Sequence, residues 1–264
     1  MERALAFDRV AEAYDRARPG YPATFIDTAL AGRRVRHVLE VGCGTGQLTM
    51  ALIARSLYVE AVEPGANLAA IARRRAPEAQ VHVARFEELE LAAESFDAVF
   101  SATAFHWVDP AVGWAKAARV LRPGGALALL SHVYVTDGRT RRSQEALREI
   151  YGAPWQLRDE REVIEGALAR SGNISALWGW LENPAIEVAE TARLFGEAQF
   201  ESIPHQTDLG GAELVELQRT TATHLSLGAE EQERVEREMV ELVEGLGGSF
   251  PIRQLAVLAV AERR

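Results

Sequence analysis

A short, largely apolar run, His37–Val41, lies between the polar 33–36 stretch and Gly42, and this pattern predicts a short parallel strand buried on both faces. Beyond the glycines the period changes. Leu48, Ala51, Leu52 and Arg55 recur at helical spacing, and Thr45 and Thr49 offer cap-type hydroxyls near the start of that helix. A second apolar run, residues 57–62, ends at Glu63 and predicts a second strand. Upstream, residues 7–17 place Phe7, Val10, Ala11 and Tyr14 on one helical face, ahead of the R-P-G-Y-P segment that starts at Arg18. Downstream, residues 229–245 form an acidic amphipathic helix carrying Val235, Met239 and Leu242, with Leu246 continuing the spacing and Gly247-Gly248 as a stop.

The strand–glycine–helix unit carries the chemistry. Gly42, Gly44 and Gly46 remove Cβ atoms and permit positive φ, so the main chain can approach a ligand closely in front of a helix N-terminus. Such a turn suits nucleosides and phosphates. Glu63 lies 21 positions after Gly42, near the spacing of about 20 expected for an acid that accepts both ribose hydroxyls. The dinucleotide fingerprint G-x-G-x-x-G would need a third glycine where Gln47 stands, which weakens a pyrophosphate reading.

The segment E-V-G-C-G-T-G followed by Glu63 resembles motif I and the post-motif acid of class I S-adenosylmethionine-dependent methyltransferases. Further segments agree in order. Residues 81–84 resemble the third strand, residues 95–101 (S-F-D-A-V-F-S) the fourth, and residues 118–130 (A-R-V-L-R-P-G-G-A-L-A-L-L) a helix, turn and fifth strand. Residues 200–205 and 252–261 look like strands six and seven. The resemblance implies an α/β fold: a Rossmann-like, seven-stranded, mostly parallel sheet with helices on both faces and a helical insertion after strand five. The core would comprise 1–135 and 197–264, and residues 136–196 would form a substrate cap, with helices over 141–151 and 160–171 and a break at Asn183-Pro184.

The same resemblance implies site roles. Gly42, Cys43, Gly44 and Gly46 would pass under the methionyl part of S-adenosylmethionine, Glu40 would organise the loop and amino group, and Glu63 with Pro64 would hold the ribose. Phe86 and Glu87 match the adenine-binding turn. Ala102 and Thr103 leave strand four where the methyl group would be presented. The 7–22 segment resembles that of small-molecule methyltransferases of the trans-aconitate and ubiquinone-biosynthesis types, so Arg18 could pair with the methionyl carboxylate and Tyr14 could face the sulfonium.

For the acceptor, His106 is the candidate base or orienter, because histidine can remove a proton near neutral pH. Phe105, Trp107, Trp155 and Trp178 are the candidate pocket walls, although aromatics in the 136–196 stretch could equally form its own small core. Asp109 before Pro110 is expected to cap the next helix. His132 and His224 are further histidines that could enter the pocket. No H-x-x-x-H or acid cluster suggests a metal, and none is expected.

Composition narrows the function classes. A chain of 264 residues with 48% hydrophobic content can bury a full core, as one domain or one domain plus an insertion. No apolar run reaches the roughly 18 residues of a membrane span, and the opening M-E-R-A-L-A-F-D-R-V lacks a signal peptide's apolar centre, so a cytoplasmic monomer or homodimer is expected. The single cysteine, Cys43, excludes an internal disulfide, and a nucleophilic role would need a paired base. A net charge of −9 argues against nucleic acid as a partner, since phosphate binding needs a basic surface. The leading expectation is methyl transfer to a small molecule, with oxygen acceptors slightly ahead of nitrogen or carbon. An RNA or protein methyltransferase, and a non-catalytic S-adenosylmethionine-binding regulator, are the alternatives.

Overall fold

The structure, a computed structural model, describes residues 6–152 and 155–264. The first five residues of the opening stretch therefore lie outside the described residues. A 3₁₀ turn (Phe7–Val10) leads into α1 (Ala11–Ala17), followed by α2 (Ala23–Leu30), β1 (His37–Val41), α3 (Gln47–Ile53), β2 (Tyr58–Val62) and α4 (Ala66–Arg75). Next come β3 (Gln80–His82), β4 (Phe96–Ala102), a 3₁₀ turn (Phe105–Trp107), α5 (Pro110–Val120) and β5 (Leu121–Val135). Helices α6 (Arg141–Tyr151), α7 (Glu160–Leu168), α8 (Ile174–Leu181) and α9 (Thr191–Leu194) precede β6 (Gln199–Leu209). The chain ends with α10 (Gly211–Gln218), α11 (Ala222–Leu225), α12 (Ala229–Gly245) and β7 (Phe250–Glu262).

The strands form one sheet in the order β3-β2-β1-β4-β5-β7-β6, with β7 antiparallel to both neighbours and the pairs from β3 to β5 parallel. This is the expected seven-stranded, mostly parallel arrangement. Successive strand residues point to opposite faces, and both faces of the central strands carry buried apolar residues. Val38, Ala98, Phe100, Ala128 and Leu130 face Phe25, Ile26, Leu48 and Leu52 of α2 and α3. Leu39, Val41, Val99, Leu127 and Leu129 face the other layer, which contains Trp114, Ala117, Leu177 and Trp178.

The R-P-G-G segment departs from the expected separate turn. Extended structure begins at Leu121, and the β4–β5 register shifts between Phe96↔Leu121 and Ala98↔Ala126, so the segment is a bulge in β5. Arg263 holds it there: Gly124 N–H donates to Arg263 O (3.1 Å), and Arg263 N–H donates to Gly125 O (2.8 Å).

The helical stretch after β5 divides its packing. Helices α7 and α8 complete the layer over the sheet through Val163, Ala167, Ile174, Leu177 and Trp178. Trp114 of α5 ties this layer to the chain beyond α8 by donating its indole N–H to Ile186 O (2.9 Å). Helix α6 instead joins α10 and α12 in a second cluster of Leu147, Tyr151, Leu214, Val235, Met239 and Val243, seated on Phe250 and Ile252 at the start of β7. Because β7 is antiparallel to β5, this lobe stands at the carboxyl ends of the parallel strands, where open α/β sheets bind ligands.

Candidate active site

A cavity of about 460 Å³ opens at that end of the sheet, with a smaller hollow of about 60 Å³ sharing its glycine-loop wall. Its floor is the chain leaving β1. Gly42 has φ +73°, and a Cβ there would lie 2.3 Å from the Ala104 Cβ. Gly46 has φ +86°, and a Cβ there would press on the Ala72 backbone at 3.1 Å. The two glycines thus serve different ends: Gly42 lines both hollows, whereas Gly46 lines neither and lets the loop pack on α4. Gly46, expected beside the cofactor, lines neither hollow and packs on Ala72 of α4.

Two carboxylates flank the loop. Glu63, buried at the end of β2, accepts from Gly44 N–H (2.9 Å) and Gly65 N–H (2.8 Å). Burial raises its carboxyl above the ordinary range, and the two amide bonds work against that rise. Each carboxylate oxygen retains a lone pair for a ligand. Glu40 is buried under the smaller hollow, and its carboxyl is pushed up to about 8 by burial. Thr49 donates to it at 2.6 Å, so this hydroxyl does not cap α3 as expected. Cys43 lines the smaller hollow, and burial pushes its thiol well up, away from nucleophilic use.

The N-terminal segment closes one side. Tyr14 and Arg18 line both hollows, with the guanidinium 5.3 Å from the Tyr14 ring centroid. Arg18 Nε donates to Thr220 Oγ1 (3.1 Å) in the β6–β7 connection, and Gln47 Nε2 donates to Arg18 O (3.3 Å). Arg16 pairs with Glu216 (3.1 Å), and Arg75 pairs with Asp15. Asp8 caps α4 through Asn67 N–H (2.7 Å) and Leu68 N–H (3.0 Å).

Pro64, Phe86, Glu87, Ala102 and Thr103 also line the main cavity. Glu87 Oε1 accepts from Asp109 N–H (2.9 Å) and Arg85 (2.8 Å), so it braces the 85–87 turn against α5. Asp109 caps α5 by accepting from Ala111 N–H (2.9 Å), as its place before Pro110 predicts. Thr103, at φ +50°, is held by a hydrogen bond with the Tyr21 hydroxyl.

The aromatic residues expected to wall the pocket separate. Trp107 lines the cavity, its ring 5.9 Å from Phe7 and 4.9 Å from His106. Phe105 does not; its side chain turns into the core 4.7 Å from Trp114, because successive residues of a 3₁₀ turn are rotated by about 120°. Trp178 is fully buried in the layer over the sheet, and Trp155 packs with Tyr151 (5.4 Å) in the second lobe. Trp180 lies against Arg158 and Arg170 and donates to Val163 O. None of these three insertion tryptophans lines the cavity.

His106 does line it. Burial depresses its basicity, and Arg18 adds to that while Glu182 opposes it. His132 also faces the cavity, stacked on Tyr21 at 4.6 Å, with a pKa lowered to about 4 chiefly by burial. His224 is instead held inside the second lobe by the Tyr151 hydroxyl (3.0 Å) and Glu236 (3.3 Å). Sequence reasoning missed Phe7, Ser131, Tyr134, Glu182 and the 221–223 segment, all of which line the cavity. The Asn183-Pro184 break marked the reversal beside Glu182, but it did not indicate which way the carboxylate points. Among the described residues, no helix is long and apolar enough to cross a membrane.

Comparison with known proteins agrees with this geometry. Residues 39–129, from β1 into β5, match the methyltransferase-domain family. A 129-residue stretch, 49% of the chain, is 43% identical to an uncharacterized methyltransferase of Mycobacterium tuberculosis and spans 53% of it, about half that relative's length. The chain is also 31% identical over 180 residues, 64% of its length and 67% of the other's, to malonyl-[acyl-carrier protein] O-methyltransferase of Enterobacter lignolyticus. A solved structure from Anaeromyxobacter dehalogenans, assigned as a type II methyltransferase, shares the fold with a TM-score of 0.63 at 21% identity, covering 94% of this chain and 97% of that one. With a sheet of this order, a bare glycine loop after β1 and an acid closing β2, the chain belongs to the class I S-adenosylmethionine-dependent methyltransferases.

Proposed function

We propose that this protein transfers a methyl group from S-adenosylmethionine to a small-molecule acceptor, with oxygen the favoured methylated atom. The observation that carries this reading is the placement of Glu63 and the Gly42–Gly44 backbone on one wall of a cavity whose far side is apolar and aromatic. When bound, the cofactor supplies an electrophilic methyl group on a sulfonium. The chain's own part is to hold it and to exclude water.

In this reading Glu63 accepts from the ribose hydroxyls beside Pro64, and Phe86 covers the adenine. Glu87 already accepts two protein donors through Oε1, which leaves Oε2 for the base. Gly42, Cys43 and Gly44 pass under the methionyl part, with Glu40 on its amino side and Arg18 on its carboxylate. Tyr14, Ala102 and Thr103 surround the reacting carbon, and His106 stands at the acceptor end as base or orienter. The 221–223 turn and Glu182 at the end of α8 stand on the acceptor side. The similarity to an O-methyltransferase over 64% of the chain supports oxygen as the acceptor atom, and the net charge of −9 supports a metabolite over RNA.

Calorimetry with S-adenosylhomocysteine tests the cofactor half: micromolar affinity is expected, and tight binding of a nicotinamide dinucleotide in its place would refute it. Labelled methyl transfer tests the rest, with label expected in a metabolite extract and not in total RNA. Glu63→Ala should abolish S-adenosylhomocysteine binding, whereas His106→Ala should spare it and slow turnover. Affinity without transfer to any extract would instead describe a non-catalytic regulator.

A further inference from the structure

Four buried polar atoms on the cavity wall have no hydrogen-bond partner among the described residues: Ser131 Oγ, Tyr134 Oη, His106 Nδ1 and Glu182 Oε1. Leaving a buried polar group unpaired costs about 1–3 kcal/mol; other such atoms, among them Trp178 Nε1 and Thr191 Oγ1, are scattered through the fold, but these four share one cavity wall. Glu63, Glu87 and Thr103 on the same cavity wall are engaged, whereas Thr45 Oγ1 in the adjoining hollow is also unpaired. The unpaired atoms come from β5, from the 3₁₀ turn after β4 and from the end of α8. They describe a polar end to an otherwise apolar chamber.

Two of these residues face each other. His106 Nδ1 lies 3.4 Å from Glu182 Oε2, just beyond hydrogen-bond geometry, and both side chains are largely buried. Each is fixed from behind. Phe105, adjacent to His106, is anchored against Trp114. Trp178, one helical turn before Glu182, is fully buried, and its carbonyl accepts the Glu182 N–H (3.0 Å). Asn183 then caps the following 3₁₀ turn by accepting from Ala185 N–H (3.0 Å). The aromatics that do not reach the cavity thus set the two side chains that do.

A carboxylate beside Nδ1 favours the tautomer with its proton on Nδ1, which leaves the Nε2 lone pair free to act as a base. We propose that Glu182 is the positioning residue for His106 as general base, and that the acceptor is a small molecule bearing a neutral hydroxyl, held by Ser131 and Tyr134. This rests on the methyltransferase reading above and specifies its acceptor class. The hydroxyl proton passes to His106 Nε2 as the acceptor oxygen bonds to the methyl carbon. The C–S bond breaks with its electron pair left on sulfur, so a sulfonium and an alcohol become a thioether and an ether. The imidazolium holds the released proton beside Glu182 until solvent takes it. A carboxylic acid acceptor is disfavoured, since at neutral pH it has no proton to give up and would meet Glu182 as a like charge.

The charged groups facing His106 are Glu182 at the end of α8 and Arg18 after α1; the 221–223 wall is uncharged. With S-adenosylhomocysteine bound, the His106 ring resonance, assigned by its loss in His106→Gln, should titrate about one pH unit lower in Glu182→Gln than in the wild type. Glu182→Asp, which keeps the charge, should return most of that difference and also serves if the glutamine variant folds poorly. An unmoved midpoint in a variant that still binds S-adenosylhomocysteine overturns the proposal.

The products give a second measurement. Label transferred to a metabolite extract should be alkali-stable ether, and its rate should fall about 100-fold or more in His106→Gln. Alkali-labile esters or methylamines as the main products overturn the hydroxyl assignment while leaving the transferase reading intact. Absence of cofactor binding, or binding without any transfer, overturns that reading and this proposal with it.

Discussion

Glu40 and Glu63 occupy the two sides of one glycine loop, yet their surroundings give them different partners. Glu63 has two backbone amides, while Glu40 has a single hydroxyl and full burial. A carboxyl whose folded-state midpoint lies above its unfolded one stabilises the fold most at low pH. For Glu40 that contribution is complete below about 4.5 and is lost as pH rises through about 8. In the ligand-free protein, Glu40→Gln should therefore flatten the fall in melting temperature across that window; curves with equal slope would contradict the shift. At Gly42 the constraint is steric. Gly42→Ala should cost about 1–3 kcal/mol from its positive φ alone, with more from the overlap at Ala104. Ala104→Gly should recover the second part only, and denaturant unfolding of the four proteins in that double-mutant cycle measures the division.

At the scale of elements, the second lobe is a separate packing unit. Its cluster of Leu147, Leu214, Val235 and Met239 shares no member with the two clusters that sandwich the sheet. Met239→Ala should cost about 2–5 kcal/mol within the lobe. It should also speed amide hydrogen exchange in α6, α10 and α12 well before β1 and β4, and uniform acceleration would show one cooperative unit instead. This division explains what the sequence could reveal. Strands β1, β2 and β7 are legible because most of their residues on both faces are buried, so apolar residues dominate each run. The assignment of Trp155 and Trp178 is not legible, because helical periodicity reports that a face is buried and not which of two apolar surfaces buries it. The Glu182 contact with His106 spans 76 positions and carries no local signature. Glu63 was readable because its spacing from Gly42 is fixed by one βαβ unit.

For the molecule as a whole, residues that border the cavity lie about 200 positions apart in the chain. The 7–18 segment meets α10 and the 220–223 turn through Arg16–Glu216 and Arg18–Thr220, while Asp15–Arg75 and Asp8 at α4 hold its other side. The Arg16–Glu216 pair is surface-exposed, so it adds little to folding. Its influence falls on residence time. We expect product release to require this strap to part from the lobe, with charge pairing contributing to the barrier. Raising salt from ~0.01 M to ~1 M, which shortens the screening length from about 30 Å to about 3 Å, should hasten S-adenosylhomocysteine dissociation in stopped-flow measurements without lowering the melting temperature in parallel. Arg16→Gln should blunt that acceleration. Turnover would then be set by ionic strength at a surface seam between the 7–18 segment and α10, remote from the atoms that exchange the methyl group.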